Sequence, residues 1–174
     1  MNKINLASGV LVTSILTLLG VATCAEVREY RDSIANTLFL EQQHCVALNV
    51  YHEARGGSRM GMKAVAFVTL NRVQDNRYPD TPCDVVYQAR LKSNGQPQIN
   101  QCQFSWYCDG KADTPLDDVM WKRTNQVAYE VLLQYGNVED PTEGAVMYHA
   151  SYVSPYWSDS YKKTIRIDEH IFYK

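Results

Sequence analysis

Basic charge is not in excess in this sequence of 174 residues, because 17 lysines and arginines are balanced by 19 aspartates and glutamates, for a formal net charge of −2. Proteins that bind nucleic acid usually neutralise its phosphates with a strong basic excess, so nucleic acid is not expected as a partner. Glycine (9 residues) and proline (6 residues) are few, which excludes a collagen-like or low-complexity chain. No repeat or linker interrupts the sequence past Glu26, and the length suits one domain rather than two.

Metal-binding motifs are missing as well. The sequence contains no pair of C-x-x-C motifs and no H-E-x-x-H motif, which are the spacings of many structural zinc sites and of zinc proteases. His44 and Cys45 are adjacent, but two residues do not make a zinc site. We therefore expect no metal and no other cofactor.

Charge is absent from one long segment, residues 4–25. Such a run near the N-terminus is typical of a secretory signal or of a single membrane span. Three interpretations remain open: a signal peptide cleaved after Ala25, an uncleaved signal-arrest-release segment that later leaves the bilayer, or a lipoprotein signal with the lipid on Cys24. In each case we expect an exported protein of the periplasm or cell envelope, with residues 4–25 in transient contact with the inner membrane and residues 26–174 as one domain.

The five cysteines fit an exported chain, since disulfides persist in oxidising compartments. Cys24 belongs to the export segment, and the remaining four cysteines allow three connectivities. We favour a small loop closed by Cys102 and Cys108, which leaves Cys45 to pair with Cys83.

Hydrophobic periodicity and turn residues predict a mainly helical α+β domain with a small β element. The predicted helices cover residues 38–51, 60–73, 84–90 and 117–135. Residues 93–101 are rich in turn formers and are predicted to form an exposed loop. Residues 145–149 and 164–173 show the alternation of short strands.

The stretch from Asn49 to Gly57 is the strongest candidate for chemistry. It places Glu53 at the end of an apolar helix, beside Tyr51 and directly before a glycine-rich turn. Partial burial disfavours the charged form of a carboxyl group and raises its pKa, which keeps a general acid protonated near neutral pH. The alternative is a structural ion pair of Glu53 with Arg55 or Arg72.

The motif around Glu53 is one of several fragments that point to a known family. The others are residues 61–66 and 70–73, Tyr78-Pro79, residues 83–88 and 103–106, and, towards the end, residues 148–150, 153–155, Trp157, Ile167 and residues 170–173. Together with residues 45–56, they resemble the SleB-type cell-wall hydrolases, which include spore cortex-lytic enzymes and related hydrolases of bacteria and phages. The resemblance covers nearly everything from Leu40 to the end.

The resemblance implies a lysozyme-like α+β domain that cuts peptidoglycan glycan strands between N-acetylmuramic acid and N-acetylglucosamine, with Glu53 as the principal acid. Side chains with flat apolar faces and polar edges suit sugar rings, so we expect the substrate to contact Tyr51, Gln103, Phe104, Ser105, Trp106, Tyr148 and His149. For Phe104 and Trp106 the alternative is that they are core residues of a strand and do not contact the substrate. We expect His170 to have a structural role. We expect no catalytic role for His52.

Two positions depart from the family pattern. Gly57 stands where the family commonly has a glutamate, and Asp168-Glu169 stand where a glycine often precedes the final histidine. A second carboxylate near Glu53 is therefore missing from the motif. Four aspartates could supply one, but they lie in a polar loop and at a helix start, where helix capping is the commoner role: Asp109, Asp113, Asp117 and Asp118.

A single well-placed glutamate favours a lytic transglycosylase over a hydrolase, since most glycoside hydrolases use two carboxyl groups. Three alternatives remain open: a hydrolytic muramidase, a non-catalytic wall-binding module, or a zinc-dependent amidase or peptidase that uses the four histidines, His44, His52, His149 and His170. We expect a monomer that acts on peptidoglycan in cell-wall remodelling or phage lysis.

Overall fold

The structure is a computed structural model that describes residues 22–174. The chain divides into two compact units, which meet in sequence between Phe39 and Leu40. Residues 4–21 of the predicted export segment lie outside the described residues. Within residues 22–174, no helix is both long enough and apolar enough to cross a bilayer.

Within residues 22–174, the helical part consists of four α-helices and two short 3₁₀ helices, Ser105–Cys108 and Ser158–Ser160. The α-helices are α1 (Cys24–Ala54), α2 (Arg59–Val73), α3 (Pro82–Val86) and α4 (Asp118–Gln134). The prediction that α1 begins at residue 38 is wrong. The Thr23 and Glu26 side chains bond each other's backbone N–H groups in a capping box, and the exposed residues that follow lack the apolar stripe that reveals a helix in a sequence.

Local capping fixes where α2 and α4 begin. The Ser58 side chain accepts a hydrogen bond from the Gly61 N–H at the start of α2. The Asp117 side chain accepts from the Val119 and Met120 N–H groups at the start of α4. Asp117 therefore has the capping role that its position predicts.

In the part of the chain that the structure describes, five strands form two antiparallel sheets. Strands β1 (Ala89–Leu91) and β2 (Pro97–Cys102) form a hairpin, and β3 (Met147–Ala150), β4 (Lys163–Ile167) and β5 (His170–Tyr173) form a sheet in the order β3-β5-β4. The prediction of an exposed loop over residues 93–101 is therefore wrong, since most of this segment belongs to the hairpin. The predicted helix over residues 84–90 ends earlier, at Val86, because β1 begins at Ala89. Proline and asparagine, which are depleted in strands, both occur in β2, and its sequence has no hydrophobic alternation that would indicate a strand.

The core surrounds the second half of α1, where Val46 and Val50 have no exposed surface. Three buried clusters lie against one another, and Tyr148 of β3 packs against all three. The buried Asn49 side chain donates to the Thr69 hydroxyl and accepts from the Trp106 indole, which joins α1 to α2 and to the first 3₁₀ helix. These contacts fix α1, and therefore the glutamate near its end, against the rest of the domain.

Two disulfides connect the same four cysteines that the sequence analysis paired. Cys45 of α1 is bonded to Cys83 of α3, and Cys102 is bonded to Cys108 around the first 3₁₀ helix. Cys24 is an exposed free cysteine.

Candidate active site

Glu53 lies one residue before the end of α1, where the chain turns and the Gly57 N–H donates to the Ala54 carbonyl. Two clefts meet at its side chain. The first, here called the aromatic cleft, has a volume of about 500 Å³ and is lined by Glu53, Arg72, Cys102, Gln103, Phe104, Ser105, Met147, Tyr148, Tyr156 and Trp157. The second, here called the glycine cleft, has a volume of about 440 Å³ and is lined by Glu53, Ala54, Gly56, Gly57, Ser58, Gly61, Asp168, Glu169 and His170. Glu53 is thus shared by two adjoining clefts.

Burial raises the pKa of the Glu53 carboxyl group above its ordinary value. Two smaller effects oppose this rise: a hydrogen bond from Tyr148 and the positive charge of Arg72. The balance keeps the proton on Glu53 to higher pH than on an exposed glutamate. A carboxyl group in this state can serve as a general acid.

Tyr148 holds the carboxyl group of Glu53 in place. Its hydroxyl donates to Oε2 of Glu53 over 3.1 Å, and its ring is fixed by the three core clusters. Burial, and secondarily the charge of Glu53, raises the pKa of Tyr148 well above 10. Tyr148 therefore remains a proton-bearing donor throughout the physiological pH range.

Arg72 is a buried cation in the wall of the aromatic cleft, with 3% of its surface exposed. Its Nε donates to the Val146 carbonyl over 2.7 Å. The guanidinium carbon lies 4.9 Å from the ring centre of Phe104 and 5.1 Å from that of Tyr78. With the amide of Gln103 turned to satisfy both side chains, its oxygen accepts from Arg72 over 3.1 Å and 3.3 Å. Arg72 thus fixes Gln103 at the cleft surface.

The structural alternative for Glu53, an ion pair with Arg55 or Arg72, is not found. The ion pairs within residues 22–174 involve other residues: Arg59 and Lys63 with Glu130, Arg77 with Asp75, and Lys111 with Asp109. Arg55 instead lies over the ring of Tyr51, 4.7 Å from its centre.

The glycine cleft contains a carboxylate from the opposite side of the domain. Oδ2 of Asp168, in the β4–β5 turn, accepts from both the backbone N–H and the hydroxyl of Ser58, each over 2.8 Å. A Cβ atom at Gly57 would lie 2.9 Å from this oxygen, and one at Gly61 would overlap it. Two glycines and the N-terminus of α2 therefore form the seat that the Asp168 carboxylate fills.

Four of the residues expected to bind substrate line the aromatic cleft together with Glu53: Gln103, Phe104, Ser105 and Tyr148. Three others do not line either cleft at Glu53. Tyr51 and Trp106 are buried and border a separate groove, since Tyr51 accepts from the Leu116 and Asp117 N–H groups and Trp106 donates to Asn49. His149 bonds the Ala150 carbonyl and the Tyr173 hydroxyl.

Several cleft residues were not predicted as site residues: Arg72, Met147, Tyr156, Trp157, Asp168, Glu169 and His170. The position of Arg72 could have been noticed in the sequence, because it lies just after the apolar part of a predicted helix. A charged side chain is costly to bury, so a cation at such a position suggests a role. The other residues come from the first positions of β3 and β5 and from the loop and turn on either side of β4, and their approach to α1 depends on tertiary packing. The aspartates proposed as second carboxylates do not line either cleft at Glu53.

Within residues 22–174, no group of three or more histidines, cysteines, aspartates or glutamates is arranged to hold a metal ion. Each of the four histidines packs against a different aromatic side chain instead: His44 against Trp121, His52 against Trp106, His149 against Tyr173, and His170 against Tyr148. The residues of the amidase alternative therefore do not converge in this part of the chain.

A helical domain with a small sheet, and one buried carboxyl group between two clefts, defines the lysozyme-like class. The Cell Wall Hydrolase family matches residues 56–173, and the chain belongs to this family. The matched range begins after Glu53, so the assignment of Glu53 depends on the geometry described above.

Relatives and solved structures agree with this membership. The spore cortex-lytic enzyme of Oceanobacillus iheyensis is 30% identical over 72% of this chain and 38% of its own length, and that of Bacillus cereus is 29% identical over 72% and 41%. The chain thus spans about two fifths of these relatives. The catalytic domain of the germination-specific lytic transglycosylase SleB from Bacillus anthracis is 25% identical, with a TM-score of 0.58 over 76% of this chain and 93% of that domain. The SleB catalytic domain of Bacillus cereus is 26% identical, with a TM-score of 0.54 over 77% and 91%.

Proposed function

We propose that this chain cleaves the glycan strands of peptidoglycan, with Glu53 as the general acid and base. The observation that carries the proposal is the position of Glu53, a largely buried carboxyl group of raised pKa at the junction of two clefts. A glycosidic oxygen leaves readily only when an acid protonates it. The relatives described as spore cortex-lytic enzymes and lytic transglycosylases support this substrate.

The two clefts suit a polymer better than a small molecule. A glycan strand that enters both clefts presents one glycosidic bond to Glu53 and places sugar units on either side. The aromatic cleft offers the rings of Tyr156 and Trp157 for apolar sugar faces and the amide of Gln103 for hydroxyl or acetamido groups. Phe104 is buried beneath Arg72 and supports the cleft from within the core. Three glycines line the glycine cleft, and because they have no side chains, they leave room for a bulky sugar.

The proposed reaction is transglycosylation in two proton transfers. Glu53 gives its proton to the glycosidic oxygen, the bond from this oxygen to the muramoyl C1 breaks, and positive charge develops on the muramoyl ring. The C6 hydroxyl of the same ring then bonds to C1, and the Glu53 carboxylate takes the hydroxyl proton. Glu53 returns to its starting state, and the products are a strand with an anhydromuramoyl end and a strand whose N-acetylglucosamine end has a free hydroxyl at the former glycosidic oxygen.

A hydrolytic muramidase is the second candidate, because the glycine cleft has further carboxyl groups. Asp168 and Glu169 both line it beside Glu53. Transglycosylation is preferred because Oδ2 of Asp168 is already engaged by two hydrogen bonds from Ser58, and Glu169 is an exposed turn residue. A hydrolase would need one of these groups to activate water.

The proposal is tested by comparing Glu53→Gln with Glu139→Gln. Both variants replace a glutamate by its neutral isostere, but Glu139 is exposed and lies outside both clefts. On purified peptidoglycan, Glu53→Gln should lose about 10²–10⁴-fold in turnover, whereas Glu139→Gln should match the wild type. Release of muropeptides by Glu53→Gln at a near-normal rate would contradict the assignment.

Two controls address the remaining alternatives. Activity that persists in a chelator would separate glycan cleavage from a zinc amidase. Binding to cell walls with no muropeptide release by the wild-type protein would indicate a wall-binding module.

We further propose that the protein is exported and works in the cell envelope. The uncharged segment over residues 4–25 and the two disulfides support this location. N-terminal sequencing of the exported protein tests the fate of the segment, since a first residue of Glu26 indicates cleavage and a first residue of Met1 or Cys24 indicates retention or lipidation.

A further inference from the structure

Arg72 has no carboxylate partner among residues 22–174, although it is almost completely buried. Its hydrogen bonds go to neutral acceptors, the Val146 carbonyl and the Gln103 amide oxygen, with a weaker contact from Nη2 to the Met147 sulfur over 3.7 Å. These partners satisfy the guanidinium donors without neutralising the charge. An arginine side chain keeps its proton even when buried, so the domain contains an uncompensated positive charge.

The uncompensated charge lies in the same wall as the proposed acid. Arg72, Glu53 and Tyr148 all line the aromatic cleft, and the Tyr148 hydroxyl donates to Oε2 of Glu53. Water screens little between groups in a protein interior, so a charge there acts over longer distances than at a surface. Arg72 can therefore influence Glu53 without forming an ion pair with it.

We infer that Arg72 is a positioning residue whose buried charge stabilises the Glu53 carboxylate that forms when the glutamate gives up its proton. This inference rests on the proposed function, in which Glu53 alternates between acid and base. Burial alone would make the ionisation of Glu53 energetically costly. A carboxyl group that ionises with difficulty is a poor proton donor in the first proton transfer. The neutral partners of Arg72 leave its charge available to the ionised glutamate, and the rings of Phe104 and Tyr78 hold the guanidinium in position.

Other charged and titratable groups also face this pair. Tyr148 donates to Glu53 from β3, and His170, Asp168 and Glu169 face it across the glycine cleft. Burial lowers the pKa of His170, so this ring is neutral near pH 7. On the other side, Tyr78 and Tyr161 are near enough to Arg72 to affect its charge. All of these groups are unchanged in the variants proposed below, which isolates the effect of Arg72.

The test is a direct titration of Glu53 by carbon NMR of glutamate carboxyl groups, with Glu53→Gln used to assign the resonance. Arg72→Met keeps the length of the side chain and removes its charge, and we expect the pKa of Glu53 to rise by about one unit or more, a tenfold change in its acid constant. Arg123→Met, which changes an exposed arginine of α4, should leave it unchanged. An unchanged Glu53 titration in folded Arg72→Met would overturn the inference.

Arg72→Lys keeps the charge and serves if Arg72→Met does not fold. The pKa of Glu53 should then remain within about half a unit of the wild-type value, and a rise of a full unit would count against the inference. Kinetics give a second readout: Arg72→Met should lower kcat with little change in KM, and the basic limb of its pH profile should move to higher pH. Because the titration needs no substrate, its result is independent of whether the proposed reaction is correct.

Discussion

The carboxylate of Asp168 lies in the space beside Gly57, with its Oδ2 2.9 Å from the point where a Cβ atom of residue 57 would stand. These are the two places where the sequence departs from the pattern of the family it resembles. The loop after Glu53 has no carboxylate at residue 57, and Asp168 supplies one at nearly the same place from the β4–β5 turn. The two departures are therefore neighbours in space, and an acidic group is present in the glycine cleft.

Removing the Asp168 side chain should loosen the loop that follows Glu53. Asp168→Gly eliminates both hydrogen bonds to Ser58, and glycine accepts the positive φ of 50° at this residue without strain. We expect a loss of about 0.5–2 kcal/mol in the free energy of unfolding, comparable to losing a helix N-cap, measured by urea denaturation. Asp159→Gly, at an exposed site in the second 3₁₀ helix, shows the effect of an added glycine alone. Equal unfolding midpoints for the two variants would contradict this prediction.

The reaction products should distinguish the two glycan-cleaving candidates. Digestion of peptidoglycan in ¹⁸O-labelled water places solvent oxygen at the new reducing end if the enzyme hydrolyses the bond. Intramolecular closure by the C6 hydroxyl cannot do so, and we expect unlabelled anhydromuramoyl ends by mass spectrometry. Labelled reducing ends as the main product would favour the hydrolytic muramidase instead.

The free energy of unfolding should depend on pH because the pKa of Glu53 is raised in the folded protein. A carboxyl group whose pKa is higher in the folded than in the unfolded state binds its proton more tightly when folded, so its contribution to stability is complete at low pH and falls as pH rises from about 4.5 through the folded pKa. Glu53→Gln cannot ionise and escapes this loss. Its free energy of unfolding should exceed that of the wild type by a margin that grows over this range, at about 1.4 kcal/mol per unit of pKa difference.

The matched control for this measurement is Glu139→Gln, whose difference from the wild type should be small and nearly constant with pH, because Glu139 is exposed. A Glu53→Gln curve parallel to the wild-type curve would show that Glu53 titrates normally.

Tyr148→Phe should make Glu53 a weaker acid. The substitution removes the hydroxyl that donates to Oε2 of Glu53, and losing a hydrogen bond to the charged form raises the pKa of a carboxyl group further. We expect the basic limb of the activity profile to move to higher pH and kcat to fall. Tyr135→Phe removes a hydroxyl that bonds Asn71 instead, and its profile should overlay that of the wild type. If the profiles of both variants coincide, Tyr148 does not tune Glu53.

Much of the fold follows from local patterns in the sequence. The apolar residues around Val65 and Val127 predict α2 and α4 to within a residue or two, since α2 is buried on nearly all sides and α4 buries one face. The hairpin β1–β2 escaped prediction because its strands have little apolar alternation and are stabilised by pairing with each other. Such pairing is a non-local property that a short window of sequence does not contain.

The site was only partly predictable for a similar reason. Glu53 could be selected as a candidate because a helix end, an aromatic neighbour and a glycine turn all lie within a few residues of it, and in the structure it lines both clefts. The directions of the Trp106 and His149 side chains could not be predicted. Which face of a strand or helix points towards the cleft depends on contacts with residues that are distant in sequence. Trp106 faces the buried Asn49, and His149 points to the side of the sheet where Tyr173 lies.

The Cys45–Cys83 bond joins α1, which carries Glu53, to α3 across 38 positions of the sequence. A crosslink over a loop of this length contributes about 3–4 kcal/mol of stability, a large share of the roughly 5–15 kcal/mol typical of a domain. A newly made chain in a reducing cytoplasm lacks this contribution. The same bond thus makes the stability of the helix that carries Glu53 depend on the redox state of its surroundings: reduction removes the contribution, and an oxidant restores it.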